Sequence, residues 1–297
     1  MKARVLAALI ALAACTPDAP LPEDQDAALS DYYMQVETQI RANGGMRREY
    51  WPRDARFNTN DLIENFKRIA FYSEMDERAG RFVQREKQVG LQRWQDPVRI
   101  GVHHSIGASV GQVNRDRKAV AVMARRLRNI TGHDISLVDD PEDANMRVTF
   151  FDTESGRLAA DRIEEADTPL SKATLNQFRN PDPSILCMGS FAGTVQSPSS
   201  IAFALIIIND AQTPALRESC IHEELAQALG LLNDSFLARP SIFNDDEEFA
   251  LITAHDAALL RMLYDERLRP GMSLEEATPM LPQLAADALA FVQQGGP

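Results

Sequence analysis

The chain has 297 residues, 44% of them hydrophobic and 25% charged. That is the make-up of a globular protein of one or two domains, long enough to bury a full core. With 43 acidic against 31 basic residues the net charge is −12, and no stretch gathers Lys and Arg into a strongly basic patch. Nucleic acid is therefore excluded as a partner, and so is an anionic membrane surface bound by charge alone, since either needs a basic footprint.

The N-terminus, MKARVLAALIALAAC, carries Lys2 and Arg4 and then an apolar run from Val5 to Ala14. This run is too short to span a bilayer, and the pattern is that of an export signal over residues 1–14. Leu12-Ala13-Ala14-Cys15 resembles the lipobox of bacterial lipoproteins, which implies cleavage before Cys15 and lipid on its thiol. The alternative is an ordinary signal peptide cut near Ala13 or Ala14. Thr16, in place of Asp, favours the periplasmic face of the outer membrane over retention at the inner membrane, by analogy with Gram-negative sorting. Three cysteines are odd for an exported chain. With Cys15 assigned to lipid, Cys187 and Cys220 remain as a disulfide in an oxidising compartment, or as two buried thiols.

Residues 15–45, rich in Pro, Asp and Ala at their start, read as a flexible tether. Residues 46–96 read as a helical segment. Leu62, Ile63, Phe66, Ile69, Ala70 and Phe71 fall at helical spacing there, with Thr59 or Asn60 as N-cap. From Pro97 to the C-terminus the order of elements points to one α+β domain. PVRIGV is a strand, and NRDRKAVAVMARRLRNITG is a helix ended by Gly132. DISLV and MRVTFF are two further strands, joined by the turn-rich DDPEDAN. Residues 153–186 are polar, contain Pro169, Pro181 and Pro183, and read as a surface loop or lid. IAFALIIIND is a buried strand that leads into a helix from Arg217 to Leu229.

The segment ESCIHEELAQALGLLND and its surroundings resemble the metzincin branch of the zinc peptidases. In that fold a strand-helix-strand-strand unit precedes an edge strand lining the cleft, another strand and the metal helix. The metzincin motif HExxHxxGxxH puts two His on one helix face, a Glu that polarises the metal-bound water, and a Gly turn to a third His. Read from His222, the motif fails, with Ala226 at the second ligand and Leu229 at the glycine. Read from Glu223, it places Glu224 at the base and Gly230 at the turn, but Glu223, Gln227 and Asn233 at the three ligand positions. Downstream, Ser241-Ile242-Phe243 resembles the tight turn beneath the ion, with Phe243 in place of methionine. Thr253-Ala254-His255-Asp256 opens the next helix and Leu263-Tyr264 closes it.

LIENFKRIAFYSE, RWQDPVRIGV, EELAQALGLLND, PSIFND and LYDERLRPGM are similar to the wording of a family of bacterial lipoproteins, the domain of unknown function 2927. These segments span residues 62–272. No activity comes with that family, and its members share the altered helix.

One carboxylate and two amides form a hard-oxygen set that holds zinc poorly and offers calcium or magnesium too few oxygens. Hence Glu223, Gln227 and Asn233 are weak metal candidates, expected to bond one another around a site with no resident cofactor. The three should nonetheless converge where a metzincin holds its zinc. His103, His104 and His133 lie away from that site, whereas His255 can approach it. The resemblance implies a degenerate peptidase whose old cleft, lined by Glu223, Gln227, Asn233, His222 and Phe243, binds a peptide or protein by strand addition. Its rivals are a working metal-dependent peptidase with Glu224 as general base, and an envelope scaffold protein.

Overall fold

A computed structural model describes residues 22–78, 81–165, 172–244 and 246–295; the signal segment and Cys15 lie outside them. The centre is a six-stranded, mostly parallel sheet in a mixed α/β arrangement. Strands β3 (Arg93–Trp94), β4 (Val98–His103), β5 (Ile135–Leu137), β6 (Met146–Phe151), β7 (Cys187–Gly193) and β8 (Ser200–Asn209) make it up. From one edge the order runs β5, β4, β6, β8, all parallel. Beyond β8 lies β7, antiparallel, with the two residues of β3 pairing parallel to the start of β8.

Alternation along the strands divides the residues between two faces. Ile100, Val102, Met146, Val148, Phe150, Ala204, Ile206 and Ile208 belong to the main core, with the buried sides of α2 (Thr59–Ala70), α3 (Val110–Thr131), α6 (Pro214–Gln227), α7 (Ala254–Leu263) and α9 (Leu281–Gln293). Phe151, Leu205 and Ile207 form a second cluster with Ala160 of α4 (Thr153–Glu165) and with Leu175 and Phe178 of α5 (Lys172–Arg179). The short α8 (Leu274–Ala277) leads into α9.

Ser109 caps the start of α3, and Gly132 ends it in the left-handed region at φ +73°. The N-cap of α2 is Asn58, paired with Asp61 in a capping box, rather than Thr59 or Asn60.

Three stretches differ from their sequence reading. The expected tether contains α1 (Pro22–Ala42), because Leu29, Tyr33 and Ile40 are spaced to join Met46, Leu216 and Ala250 in a small core of their own. The segment 46–96, read as helical, holds α2 and then a two-stranded hairpin, β1 (Tyr72–Arg78) and β2 (Arg81–Gln88), which is a separate sheet. Residues 153–186, read as a loop, contain α4 and α5; Ala160, Leu175 and Phe178 supply an apolar side that the polar remainder masks. Pro181 and Pro183 fall after α5 and break neither helix.

Candidate functional site around helix α6

Thr213 caps α6 through its side chain, and Pro214 occupies the first turn, where no amide donor is needed. The helix sits on the core face of the sheet and is tied to β7 by the Cys187–Cys220 disulfide, whose Cα atoms are 5.7 Å apart. Past its end the chain turns at Gly230, with φ +122°. A β-carbon there would stand 2.0 Å from the Gln92 carbonyl oxygen, so only glycine fits. Trp94 Nε1 donates to Ala228 O at 2.8 Å and Tyr264 Oη to Leu229 O at 3.0 Å, which satisfies carbonyls that a helix end leaves unpaired.

Glu224 is buried, with 4% of its surface exposed, not a solvated residue on an outer face. It points at the edge strand: a β-carbon added at Gly189 of β7 would lie 2.7 Å from Glu224 Oε2. Glu223 is half-buried, and its Oε2 is 4.0 Å from Cys187 Sγ. Gln227 Nε2 donates to Asp234 Oδ1 at 3.2 Å, and buried Asn233 donates from Nδ2 to Arg68 O of α2 at 3.2 Å. Each amide thus bonds a residue outside the set Glu223, Gln227 and Asn233 that was expected to bond one another. Gly230 lets Leu232 N reach Ile69 O at 2.9 Å, so the chain after the turn binds α2. Among the described residues no three His, Cys, Asp or Glu side chains are grouped to hold a metal.

His222 is half-buried, and its Nδ1 accepts from Ile252 N at 3.3 Å. Burial, and secondarily Arg126, push its pKa down to about 4, so it is neutral at physiological pH. His255 does not approach Glu223: fully buried in α7, its Nε2 lies 3.0 Å from Asn65 Nδ2 and its ring 5.2 Å from that of Phe57.

The turn around Phe243 is held from beneath by one carboxylate. Buried Asp256 accepts from Ser241 Oγ at 2.5 Å, from Ile242 N at 3.1 Å and from Thr253 N at 2.9 Å. Phe243 is fully buried, and its carbonyl accepts from Ser235 N at 2.8 Å. Thr253 caps α7 and Tyr264 ends it, as the sequence reading had it. Between Asn233 and this turn, Phe236 and Leu237 stand out in solvent at 74% and 75% exposure.

A group that sequence reasoning missed lies where β4 and β8 end. Arg217 of α6 bonds Asp116 Oδ2 at 3.2 Å and Asp210 Oδ1 at 3.1 Å, and stacks over Phe150. His104 Nε2 is 3.3 Å from Asp116 Oδ2, and Ser105 Oγ donates to Asp210. Asp116 lies 101 positions from Arg217 and Ser105 lies 105 from Asp210, and the group matches no motif, so only the fold assembles it.

The fold and site define a mixed α/β protein with a buried polar helix against an antiparallel edge strand. The profile of the family described as Protein of unknown function (DUF2927) matches residues 59–283, and the chain belongs to that family. No curated protein and no solved structure matches it.

Proposed function

We propose that this protein is an envelope lipoprotein, anchored through Cys15 at the periplasmic face of the outer membrane. Its metzincin-like domain has exchanged catalysis for binding a peptide or protein segment. With α4 and α5 set aside as an insertion between β6 and β7, the chain order β4, α3, β5, β6, edge strand β7, β8 and α6 is the one the metzincin resemblance calls for, which supports that likeness. The observation that carries the binding reading is β7 itself. Among the described residues it pairs only with β8, and an edge strand open on one side is a template for an added strand. Exposed Phe236 and Leu237, on the loop that follows Asn233, add apolar surface for a partner.

Zinc does not fit the positions that the resemblance assigns to it. Glu223 brings one carboxylate, while Gln227 and Asn233 bring neutral amides already bonded to Asp234 and Arg68. Imidazole and thiolate, the donors zinc favours, are absent from the three positions.

Two measurements test this. Peptides selected by display against the purified protein should slow amide exchange across residues 187–193, and elemental analysis of periplasmically expressed protein should find no stoichiometric metal. Near-stoichiometric zinc, manganese or calcium, or a peptidase activity abolished by Glu224→Gln, overturns the reading. For the anchor, Cys15→Ser should release the protein from the membrane fraction; unchanged partition with normal processing rejects lipidation.

A further inference from the structure

The sheet face turned away from α6 carries a cavity of about 520 Å³, roofed by α4 and closed at one side by Phe178 of α5. Pockets of roughly 300–1,000 Å³ take small organic ligands. Its lining is divided. Leu205 and Phe203 of β8, with Phe178 and with Leu158 and Ile163 of α4, form an apolar side. Arg147 and Thr149 of β6 and His103 of β4 form a polar side, and Arg162 reaches it from α4. Sheet register sets this division: His103 is level with Thr149, and Gly101, one step away on that face, leaves Arg147 no side chain beside it on β4.

Two observations point to an anionic head group. In a chain of net charge −12, the lining contains arginines and histidines but no acidic residue among the described ones. Arg147 and His103 line it, and among the described residues Arg147 Nε and His103 Nε2 are buried without a hydrogen-bond partner, although Arg147 bonds Glu142 at 3.3 Å through Nη2. Buried donors of this kind cost stability unless something accepts from them. Burial lowers the pKa of His103, so at neutral pH it serves as a neutral ring beside the arginine charge. At the mouth Ile106 is 85% exposed and Leu158 41%, an apolar rim suited to a chain entering from outside.

We propose that this cavity binds a long-chain monocarboxylate. The acyl chain lies against Phe203, Leu205 and Phe178, and the carboxylate accepts from Arg147 and His103. The site is separate from the α6 site and does not rest on the function proposed for it.

The full chain carrying Cys15→Ser, so that no covalent acyl group competes, is titrated with the fluorescent fatty acid cis-parinaric acid. Oleate should displace the probe, while methyl oleate and hexanoate should do so at least tenfold more weakly, lacking the charge and the chain length respectively. Arg147→Gln removes a charge-assisted pair and should weaken oleate tenfold or more. Ala159→Trp fills the space under α4 and should abolish binding, with circular dichroism confirming the fold. Should that variant misfold, Leu158→Glu on the exposed rim should cost about tenfold. Absence of probe binding, equal affinity for oleate and its ester, or full binding by Arg147→Gln or by the folded cavity variants overturns the proposal.

Discussion

Gly230 carries the local geometry of the α6 site. Its φ of +122° and the Gln92 oxygen 2.0 Å from a would-be β-carbon make any side chain a clash with rigid backbone. Gly230→Ala should lower stability by more than about 2 kcal/mol, read from urea unfolding. His222 makes a pH-dependent contribution. Its folded pKa, near 4, is below the unfolded value, so the unfolded chain takes up the proton first. The contribution of the neutral ring is complete above about pH 6.5 and is lost as pH falls from there towards 4. Allowing for the part of the ring that meets solvent, this is on the order of 2 kcal/mol. Against the wild type, His222→Leu should flatten the slope of stability with pH across that window; an unchanged slope rejects the assignment.

Two elements, β7 and α6, make the site, and they were not equally legible. The helix was visible because Leu225 and Leu229 recur at helical spacing before a glycine, although its bounds moved to Pro214–Gln227. Strands β4, β6 and β8 were visible from their apolar runs. By contrast β7, CMGSFAG, has two glycines and little alternation, and no residue pattern announces it; the resemblance alone called for an edge strand. Helix α1 hid for another reason, since among its described side chains Tyr33 is the one large group fully buried, amid acidic and polar neighbours. The contact between Glu224 and Gly189 was legible in neither element, because it exists only when they are packed together. The disulfide that joins them closes a span of 33 residues. Cys220→Ser should cost roughly 3–4 kcal/mol by the loop-entropy argument, measured as a lower denaturation midpoint with little change under reducing conditions.

At the scale of the molecule, the Arg217 network binds the two sides of the topology at one end of the sheet. Asp116 comes from α3, which follows β4; Asp210 directly follows β8, and Arg217 lies in the first turn of α6. The side chains of Asp116 and Arg217 are 3% and 6% exposed, so removing the cation leaves a buried carboxylate without its arginine, held among the described residues only by Gln112 and beside the His104 ring. Arg217→Met should therefore destabilise the whole chain by about 3–5 kcal/mol, seen as a single shifted thermal transition. Arg217→Lys should recover part of this, keeping the charge without the planar fork. Nothing in the primary structure marks these residues as partners; charge pairs separated by a hundred positions are set by topology, which composition and periodicity do not encode.

The close approach of β7 to Glu224 has an evolutionary consequence. The carboxylate occupies the space a side chain at position 189 would need, and its oxygen at 2.7 Å, with Cδ at 3.9 Å, is what a methyl there would meet. A side chain at 189 therefore requires the Glu224 carboxylate to swing aside, which couples the two positions. In an alignment of the family, the two columns should change together: a β-carbon at 189 should be accompanied by a shorter residue at 224, and a glutamate at 224 should keep glycine opposite it.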